Sequence, residues 1–258
     1  MAPIIEVRNV TKMFGAFKAV DDCSIAVEAG SITGLIGPNG AGKTTLFNII
    51  AGAVPPTSGR VLLDGQDITA LPAHARFERG LLRTFQIAQE FSRMTVLENL
   101  MVVPPNQTGE KLWNTWFKPG RIRAEDQAIM ERADEVLDFL KLTHVRNELA
   151  GNLSGGQKKL LELGRTLMTK ARVVLLDEIA AGVNRTLLKA LAADIRRLNE
   201  KHGYTFFMIE HDMDLIGELC HPVIVMAEGS VMTHGRMEDI RQDEAVIDAY
   251  FGGGRVEA

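Results

Sequence analysis

The sequence is short of cysteine and of aromatic residues: its 258 residues include two cysteines, and Phe, Tyr and Trp together account for 6%. Cys23 and Cys220 are too few for a disulfide framework or a cysteine-based metal cluster, which indicates a reducing compartment. Basic charge is not in excess, since 29 Lys and Arg stand against 33 Asp and Glu, for a net charge of -4. A nucleic-acid-binding surface needs a local basic stripe, and the nearest candidate, Lys158-Lys159, is too short.

Long hydrophobic runs are also missing. The longest ones, at 173–176 and 223–227, fall far short of the roughly 18 apolar residues that a membrane span needs. The N-terminal residues lack the basic region and the apolar segment of a secretory signal peptide. We therefore expect a soluble chain, which a partner would have to hold at any membrane that it serves.

What the sequence does contain is the alternating pattern of an α/β domain, with 46% hydrophobic and 24% charged residues. Short apolar runs at 31–36, 172–176 and 205–209 predict buried strands of a parallel sheet. The other elements predicted for this pattern are strands at 4–12 and 23–27, hairpins at 60–65 and 223–232, and helices at 45–51 and 187–199.

Between residues 89 and 169 the apolar residues recur at helical spacing instead. Helices are predicted over 94–101, 125–142 and 158–168. Between the first two lies a segment that we predict to be irregular, 104–119, which contains both tryptophans of the chain, Trp113 and Trp116. Because strands resume after this helical block, it is predicted to be inserted into the α/β core.

A glycine-rich loop follows the first buried strand. Residues 37–44 read Gly-Pro-Asn-Gly-Ala-Gly-Lys-Thr and match the G-x-x-x-x-G-K-[ST] pattern between a strand and a helix. Glycines let successive backbone N–H groups converge on phosphate oxygens, and the helix N-terminus adds its positive dipole end. We expect Lys43 to bridge the β- and γ-phosphates, Thr44 to bind Mg²⁺ and Thr45 to face the α-phosphate. The whole predicted phosphate-binding set is Gly37, Pro38, Asn39, Gly40, Ala41, Gly42, Lys43, Thr44 and Thr45.

The pair Asp177-Glu178 ends another of the apolar runs. The carboxyl ends of strands in such a sheet line the crevice where ligands bind. Asp177 can therefore reach the Mg²⁺ shell, and Glu178 can orient or deprotonate an attacking water. An Asp-Glu pair at a strand end is by itself often a solvated cap, but the phosphate loop upstream favours the catalytic interpretation.

A third motif, Ser154-Gly155-Gly156-Gln157, precedes the predicted helix at 158–168. A serine and two glycines at a helix N-terminus offer exposed N–H groups to an anion. A simple N-cap would explain Ser154 but not the full string Leu-Ser-Gly-Gly-Gln.

This string, placed between the phosphate loop and the Asp-Glu strand, resembles the signature motif of ATP-binding-cassette (ABC) ATPases. The resemblance implies one α/β domain over 1–258: a P-loop NTPase core of ABC type with an antiparallel β subdomain and an inserted α-helical subdomain. The core with the β subdomain would comprise 1–88 and 170–258, and the helical subdomain about 89–169 with an insert at 104–124.

The resemblance also implies roles for single residues. Phe14 would stack on adenine, Gln86 would sense Mg²⁺ and the attacking water, and His211 would contact the γ-phosphate. In such ATPases two cassettes dimerise head-to-tail, so the motif residues Ser154, Gly155, Gly156 and Gln157 would serve the nucleotide of the opposite subunit. The implied ligands are ATP and Mg²⁺.

Within the family, the chain is most similar to the ATP-binding subunits of branched-chain amino-acid importers. The segments 83–100, 210–213 and 246–252 and the tryptophan-bearing insert carry this similarity. It implies a motor subunit on the cytoplasmic face of the cell membrane, working with a second, related cassette, two permeases and an extracytoplasmic binding protein. Phe91 and Met94 are candidate contacts with the permease, although internal packing explains them equally well.

The sequence departs from the family at Ile179 and Arg185, where proline is usual, and at Asn184, where many relatives carry Asp. These positions bear on the hydrolysis rate and on coupling between the two nucleotide sites. Two other functions stay open. A lipid-export cassette of the lipopolysaccharide type would normally lack the insert, and a soluble cassette of translation or DNA repair usually carries two fused cassettes or a coiled coil.

Overall fold

A computed structural model describes residues 3–83, 90–105, 107–110, 112–117, 119–181 and 183–251. The chain divides into two compact units. The first comprises Met1–Thr84, Ala171–Ala181 and Ala192–Ala258, and the second comprises Phe85–Lys170 and Gly182–Leu191.

A six-stranded sheet forms the centre of the first unit, and its strands are in the order β10-β9-β3-β8-β7-β6. Neighbouring strands pair in parallel except β10, which pairs antiparallel with β9 at one edge. Every residue of β3, β7 and β8 is buried, which is why the sequences of these strands are mostly apolar. The strands are β3 (Ile32–Ile36), β6 (Leu81–Arg83), β7 (Val173–Asp177), β8 (Thr205–Ile209), β9 (Val223–Ala227) and β10 (Ser230–Gly235).

A four-stranded antiparallel sheet lies in the same unit, in the order β2-β1-β4-β5. One apolar core contains side chains from both sheets and from helix α1 (Lys43–Ala51). Within this core the rings of Phe47 and Phe207 lie 4.8 Å apart. The strands of the antiparallel sheet are β1 (Pro3–Phe14), β2 (Phe17–Glu28), β4 (Ser58–Leu63) and β5 (Gln66–Asp67).

The remaining helices of the first unit are α2 (Ala73–Glu78), α8 (Met213–Leu219), α9 (Met237–Ile240) and α10 (Glu244–Phe251). Helix α7 (Arg185–His202) begins in the second unit and ends in the first.

The second unit is helical. Gly164 allows close helix packing there, since a Cβ at this position would lie 3.0 to 3.3 Å from side chains of Leu140, Leu100 and Val136. The helices are α3 (Val96–Met101), α4 (Leu112–Phe117), α5 (Pro119–Phe139) and α6 (Gly155–Leu167), with short 3-10 turns at Thr108–Glu110, Thr143–Val145 and Ala150–Asn152.

The expected α/β class with an antiparallel sheet and a helical segment is confirmed, but the insert was predicted wrongly. It contains a 3-10 turn and α4 instead of an irregular loop, and α5 begins at Pro119 instead of at residue 125. Proline fits the first position of a helix because no helical partner is needed for its missing N–H. Among the described residues, no helix is both long enough and apolar enough to cross a bilayer.

Candidate nucleotide-binding site

The glycine-rich loop connects β3 to α1, as the motif requires. Helix α1 begins at Lys43 with Gly42 as its N-cap, and no side-chain hydrogen bond caps this end. The first turn of a helix has N–H groups without helical partners and carries a partial positive charge. The local structure is therefore suited to an anion.

Two of the loop glycines are required by the protein's own backbone. A Cβ on Gly37 would lie 2.0 Å from the carbonyl oxygen of Met226, and one on Gly42 would lie 2.3 Å from that of Ala19. Gly40 has open space around it, but its φ of 83° favours glycine. The steric need for glycine thus arises from neighbouring strands as well as from the expected approach of phosphate.

Backbone hydrogen bonds tie this loop to both sheets of the unit. The N–H of Gly229, in the turn between β9 and β10, donates to the carbonyl of Ala41 at 3.2 Å. The Gly229 carbonyl in turn accepts from the N–H of Asp21 on β2 at 2.9 Å. Ser230 Oγ also donates to the Asp21 carbonyl, at 2.8 Å, and so adds a second hydrogen bond between the β9–β10 hairpin and β2.

The side chain of Lys43 is buried, 6% exposed, and directed back along the loop. Its ammonium group donates to the carbonyls of Gly37 at 2.6 Å and Pro38 at 2.9 Å. Burial lowers the pKa of Lys43, and the Glu178 carboxylate opposes part of this shift. The ammonium is therefore a desolvated charge, whose interactions with an anion are stronger than those of a surface lysine.

A cavity of about 260 Å³ opens beside the loop. The aromatic residue that lines it is Phe17, whereas the predicted adenine contact, Phe14, is not among its lining residues. Phe14 lies opposite Phe17 across the turn between β1 and β2, 51% exposed. Loop residues Asn39 to Thr45, together with Phe17, Ala19, Glu178 and His211, line the cavity.

Glu178 and His211 meet at one side of this cavity. His211 Nε2 lies 3.2 Å from Glu178 Oε1. Glu178 has a left-handed backbone with φ 48°, and its N–H donates to the Ile209 carbonyl at 3.0 Å. Such a conformation is unusual for a residue other than glycine and is found preferentially at functional sites.

A buried carboxyl group, Glu210, supports the segment that follows Glu178. Its Oε1 accepts the N–H of Ala180 at 2.8 Å, and its Oε2 accepts the N–H of His211 at 3.3 Å. Burial raises the pKa of Glu210. Ile179, between Glu178 and Ala180, is also buried, at 7% exposure, so the residue that replaces the usual proline is apolar and packed.

Asp177 is buried, 4% exposed, and forms an ion pair with Arg83, which was not among the predicted site residues. Arg83 Nη2 lies 2.7 Å from Asp177 Oδ2, and the same guanidinium donates to the side-chain oxygen of Asn48. The pairing of β6 with β7 places Arg83 opposite Leu175, two residues before Asp177. The need of a buried carboxylate for a partner was the available clue, but the sequence does not reveal which cation supplies it.

The string Ser154-Gly155-Gly156-Gln157 begins α6 in the helical unit as a capping box. Gln157 Oε1 accepts from the N–H and hydroxyl of Ser154, each at 3.0 Å, and Ser154 Oγ accepts the Gln157 N–H. A Cβ on Gly156 would lie 1.4 Å from Leu187 Cδ2, whereas a Cβ on Gly155 would meet nothing within 4 Å. Local structure therefore explains Ser154, Gly156 and Gln157, but not Gly155.

The remaining predicted residues lie outside the cavity beside the glycine-rich loop or outside the described part of the chain. Gln86 falls outside the described residues. Asn184 Oδ1 accepts the N–H of Leu187 at 2.9 Å and thereby caps α7, whose first residue is the exposed Arg185. Phe91 is 47% exposed, with the Arg165 guanidinium carbon 5.1 Å from its ring centroid.

A second cavity, of about 470 Å³, lies between the antiparallel sheet and β9–β10. None of the predicted site residues lines it. Although this cavity is larger, the smaller one is the better candidate for the nucleotide site, because it contains the glycine-rich loop, the desolvated lysine and the Glu178–His211 pair.

Comparisons with known proteins agree with this geometry. The family model described as ABC transporter matches residues 20–181. The chain is 41% identical over 249 residues to a probable branched-chain amino acid transport ATP-binding protein, LivG, of Archaeoglobus fulgidus, covering 96% of this chain and 95% of that one. It is 39% identical to the high-affinity branched-chain amino acid transport ATP-binding protein BraF of Pseudomonas aeruginosa, covering 97% and 98%.

Among solved structures, an ATP-binding cassette of an ABC transporter in its ADP conformation superposes with a TM-score of 0.82 at 36% identity, covering 98% of this chain and all of that one. The expected ABC type of the fold is thereby confirmed. Because the similarity extends over nearly the full length of each of these proteins, the chain belongs to the ABC transporter family, as an ATP-binding subunit with ATPase activity.

Proposed function

We propose that this ATPase is the motor subunit of an importer for branched-chain or related amino acids. The observation that carries the proposal is the near-full-length identity, 39 to 41%, to two proteins named for branched-chain amino acid transport. The tryptophan-bearing insert supports it as well, since a lipid-export cassette would normally lack that segment.

In the proposed site the glycine-rich loop holds the phosphates of ATP. Lys43, now bound to carbonyls of its own loop, exchanges these for β- and γ-phosphate oxygens, and Thr45 faces the α-phosphate. Backbone N–H groups of the loop, apart from Pro38, which has none, complete the cradle. Phe14 stacks on adenine, and the position of Phe17 beside the cavity makes it a second candidate for that contact.

Hydrolysis is assigned to Glu178 and His211. Glu178 orients the attacking water or accepts its proton, and His211, 3.2 Å from Glu178, holds that carboxylate and contacts the γ-phosphate. Positioning and charge stabilisation supply most of the catalysis in phosphoryl transfer. Gln86 is proposed to sense the same water.

Mg²⁺ is the proposed metal. No cluster of three or more His, Cys, Asp or Glu residues that could hold a metal occurs in the described part of the chain. This fits an ion bound mainly through phosphate oxygens and water, since Mg²⁺ takes only one or two protein carboxylates in such sites. Thr44, which lines the cavity, and Asp177 would hold it together with Gln86, and the ion would neutralise charge on the phosphates.

The partners are proposed on the same basis. A second, related cassette would pair with this chain head-to-tail, and Ser154, Gly155, Gly156 and Gln157 of this chain would contact the nucleotide that the partner cassette binds. Two permeases and an extracytoplasmic binding protein would complete the importer, with this chain peripheral on the cytoplasmic face of the membrane. Phe91 and Met94 are proposed to contact a permease.

The test is a pull-down of the tagged chain from detergent-solubilised native membranes, analysed by mass spectrometry beside a tag-only control. We expect two polytopic permeases and a second cassette, and the associated binding protein can then be titrated with leucine, other amino acids and urea. Recovery only from the soluble fraction, with ribosomes, DNA or nothing, would contradict the transport function and leave the ATPase.

A further inference from the structure

Arg83 joins the two elements that carry Thr44 and Asp177, two of the proposed magnesium ligands. Its Nη2 donates to Asp177 Oδ2, at the end of β7, at 2.7 Å, and its Nη1 donates to Asn48 Oδ1 on α1. Thr44 is also on α1. Because Thr44 and Asn48 are four residues apart, they lie on the same side of that helix. One guanidinium therefore connects the strand of Asp177 to the Thr44 side of α1.

The donors of Arg83 are arranged differently from those of a simple ion pair. An arginine that only neutralises a carboxylate commonly binds it through two parallel N–H groups. Arg146 binds Asp134 in this way, through Nε at 2.6 Å and Nη2 at 3.1 Å. Arg83 gives Asp177 one nitrogen and Asn48 another, and its buried Nε has no hydrogen-bond partner among the described residues. This arrangement favours a bridge between elements over the strongest pairing with one carboxylate.

The bridge occupies only one of the two carboxylate oxygens of Asp177. Arg83 binds Oδ2, while Oδ1 accepts no hydrogen bond from the part of the chain that the structure describes. The Asp177 side chain is only 6% exposed, so a charged partner is needed to offset its burial. Arg83 thus fixes the orientation of the carboxylate and leaves one oxygen for a metal ion or for a water molecule bound to that ion.

We propose that Arg83 is a positioning residue for magnesium: it holds the Asp177 carboxylate and α1 in the arrangement that lets Asp177 and Thr44 share the ion. In this role it contacts neither the nucleotide nor the metal. Groups that hydrogen-bond a metal-binding carboxylate typically account for about 10- to 100-fold in metal affinity. The inference rests on the proposed metal site, but its test needs neither a permease nor an amino acid.

The test separates the contribution of the metal from the rest of the nucleotide affinity. The purified full chain is titrated by calorimetry with AMP-PNP, a non-hydrolysable ATP analogue, once with Mg²⁺ and once with EDTA. The affinity with Mg²⁺ divided by the affinity in EDTA is called the magnesium ratio below. Mn²⁺ is also titrated into the chain saturated with AMP-PNP, and electron paramagnetic resonance then measures the metal affinity directly.

Arg83→Gln is expected to weaken Mn²⁺ binding about tenfold or more and to bring the magnesium ratio towards one, with little change of affinity in EDTA. Asn48→Ala keeps the ion pair with Asp177 but removes the link to α1, and should have a smaller effect in the same direction. Asp177→Asn shows the effect of losing the ligand itself. The matched control is Arg146→Gln, which breaks the Arg146–Asp134 pair and should leave the magnesium ratio unchanged. Thermal unfolding verifies that each variant is folded.

An equal loss of affinity with and without Mg²⁺ in Arg83→Gln would show that Arg83 only supports the fold, and would overturn the proposal. Unchanged or tighter Mn²⁺ binding in this variant would also overturn it, even if Asp177→Asn binds Mn²⁺ weakly and the metal site itself stands. Unchanged Mn²⁺ binding in Asp177→Asn would contradict the proposed metal site and the inference together. If Arg83→Gln does not fold, normal Mn²⁺ binding in Asn48→Ala would overturn the proposal.

Discussion

Lys43 is the residue on which the proposed phosphate site depends most directly. Lys43→Ala is expected to lower ATPase activity by roughly 100-fold or more and to weaken ATP binding, because a desolvated cation that stabilises developing charge cannot be replaced by water. Phosphate release and nucleotide titration measure the two effects. The control is Lys18→Ala, which removes an exposed lysine paired with Asp21 at 3.0 Å. Unchanged turnover in Lys43→Ala would contradict the site assignment.

Glu210 is a single residue that makes the stability of the fold depend on pH. Burial raises its pKa above the ordinary 4.5, so the folded chain holds this proton more tightly than the unfolded chain does. The free energy of unfolding therefore falls as pH rises from about 4.5 towards the raised pKa. Glu210→Gln lacks this loss, and its Tm relative to the parent should increase with pH over that window. A decrease would contradict the assigned direction.

Glu90 serves as the control, because its pKa is shifted in the opposite direction. Burial alone would raise its pKa, but the hydrogen bond and charge of Lys158, 2.7 Å away, outweigh this and lower it. Its stabilising effect is present above the ordinary 4.5 and is lost as pH falls through the lower folded value. The Tm of Glu90→Gln relative to the parent should therefore decrease as pH rises through the acidic range, and then stay level.

These single-residue effects differ in how far the sequence could predict them. The loop from Gly37 to Thr45 was recognisable because a local motif dictates its shape, and Glu178 because it directly follows a buried strand. The Arg83–Asp177 pair and the support from Glu210 depend on which strands are neighbours, which a single sequence does not specify. Whether Phe14 or Phe17 faces the nucleotide depends on the turn between β1 and β2.

At the scale of elements, substitutions at the start of α6 allow an effect on stability to be distinguished from an effect on ATPase activity. Gly155→Ala should stabilise the fold by up to about 1 kcal/mol, because a Cβ there meets nothing and alanine restricts the unfolded chain. If Gly155 contacts the partner's nucleotide, the same change should lower ATPase activity in the assembled complex. Thermal unfolding and phosphate release measure the two effects, and an active, stabilised variant would remove Gly155 from the site.

Gly156→Ala is the matched comparison one residue further along. Its Cβ would overlap Leu187 Cδ2, so a loss of about 1–3 kcal/mol of stability is expected from overpacking. In a Leu187→Ala background the same substitution should cost much less, because the two side chains are coupled. An equal cost in both backgrounds would show that Leu187 is not the obstacle.

Elements with a simple period were predictable and the insert was not. The strands β3, β7 and β8 are buried on both faces and are mostly apolar in sequence, while α7 shows a regular amphipathic pattern. Helix α4 contains exposed tryptophans, and the segment before it is fixed by hydrogen bonds from Gln107 and Asn114. Such contacts leave no period in the sequence.

At the scale of the whole molecule, Glu178→Gln tests the head-to-tail dimer. Glutamine has nearly the same shape and can keep the contact with His211, but it cannot accept the proton of water. We expect normal ATP binding, lost turnover and an ATP-dependent shift to a closed dimer in size-exclusion chromatography with the cognate partners present. Glu200→Gln, an exposed position on α7, serves as the control, and no shift in Glu178→Gln would argue against the shared site.

The hydrogen bonds through Gly229 have a consequence for interpreting variants of this protein. Because the phosphate loop is tied to β2 and to the β9–β10 turn, its shape is set partly by residues that never approach a nucleotide. A substitution that destabilises β2 or the β9–β10 turn would therefore weaken ATP binding, although every side chain that contacts the nucleotide would be unchanged. Ranking variants by their distance from ATP would miss such substitutions. When a variant binds ATP weakly, its folding stability should therefore be measured before the defect is attributed to the binding site.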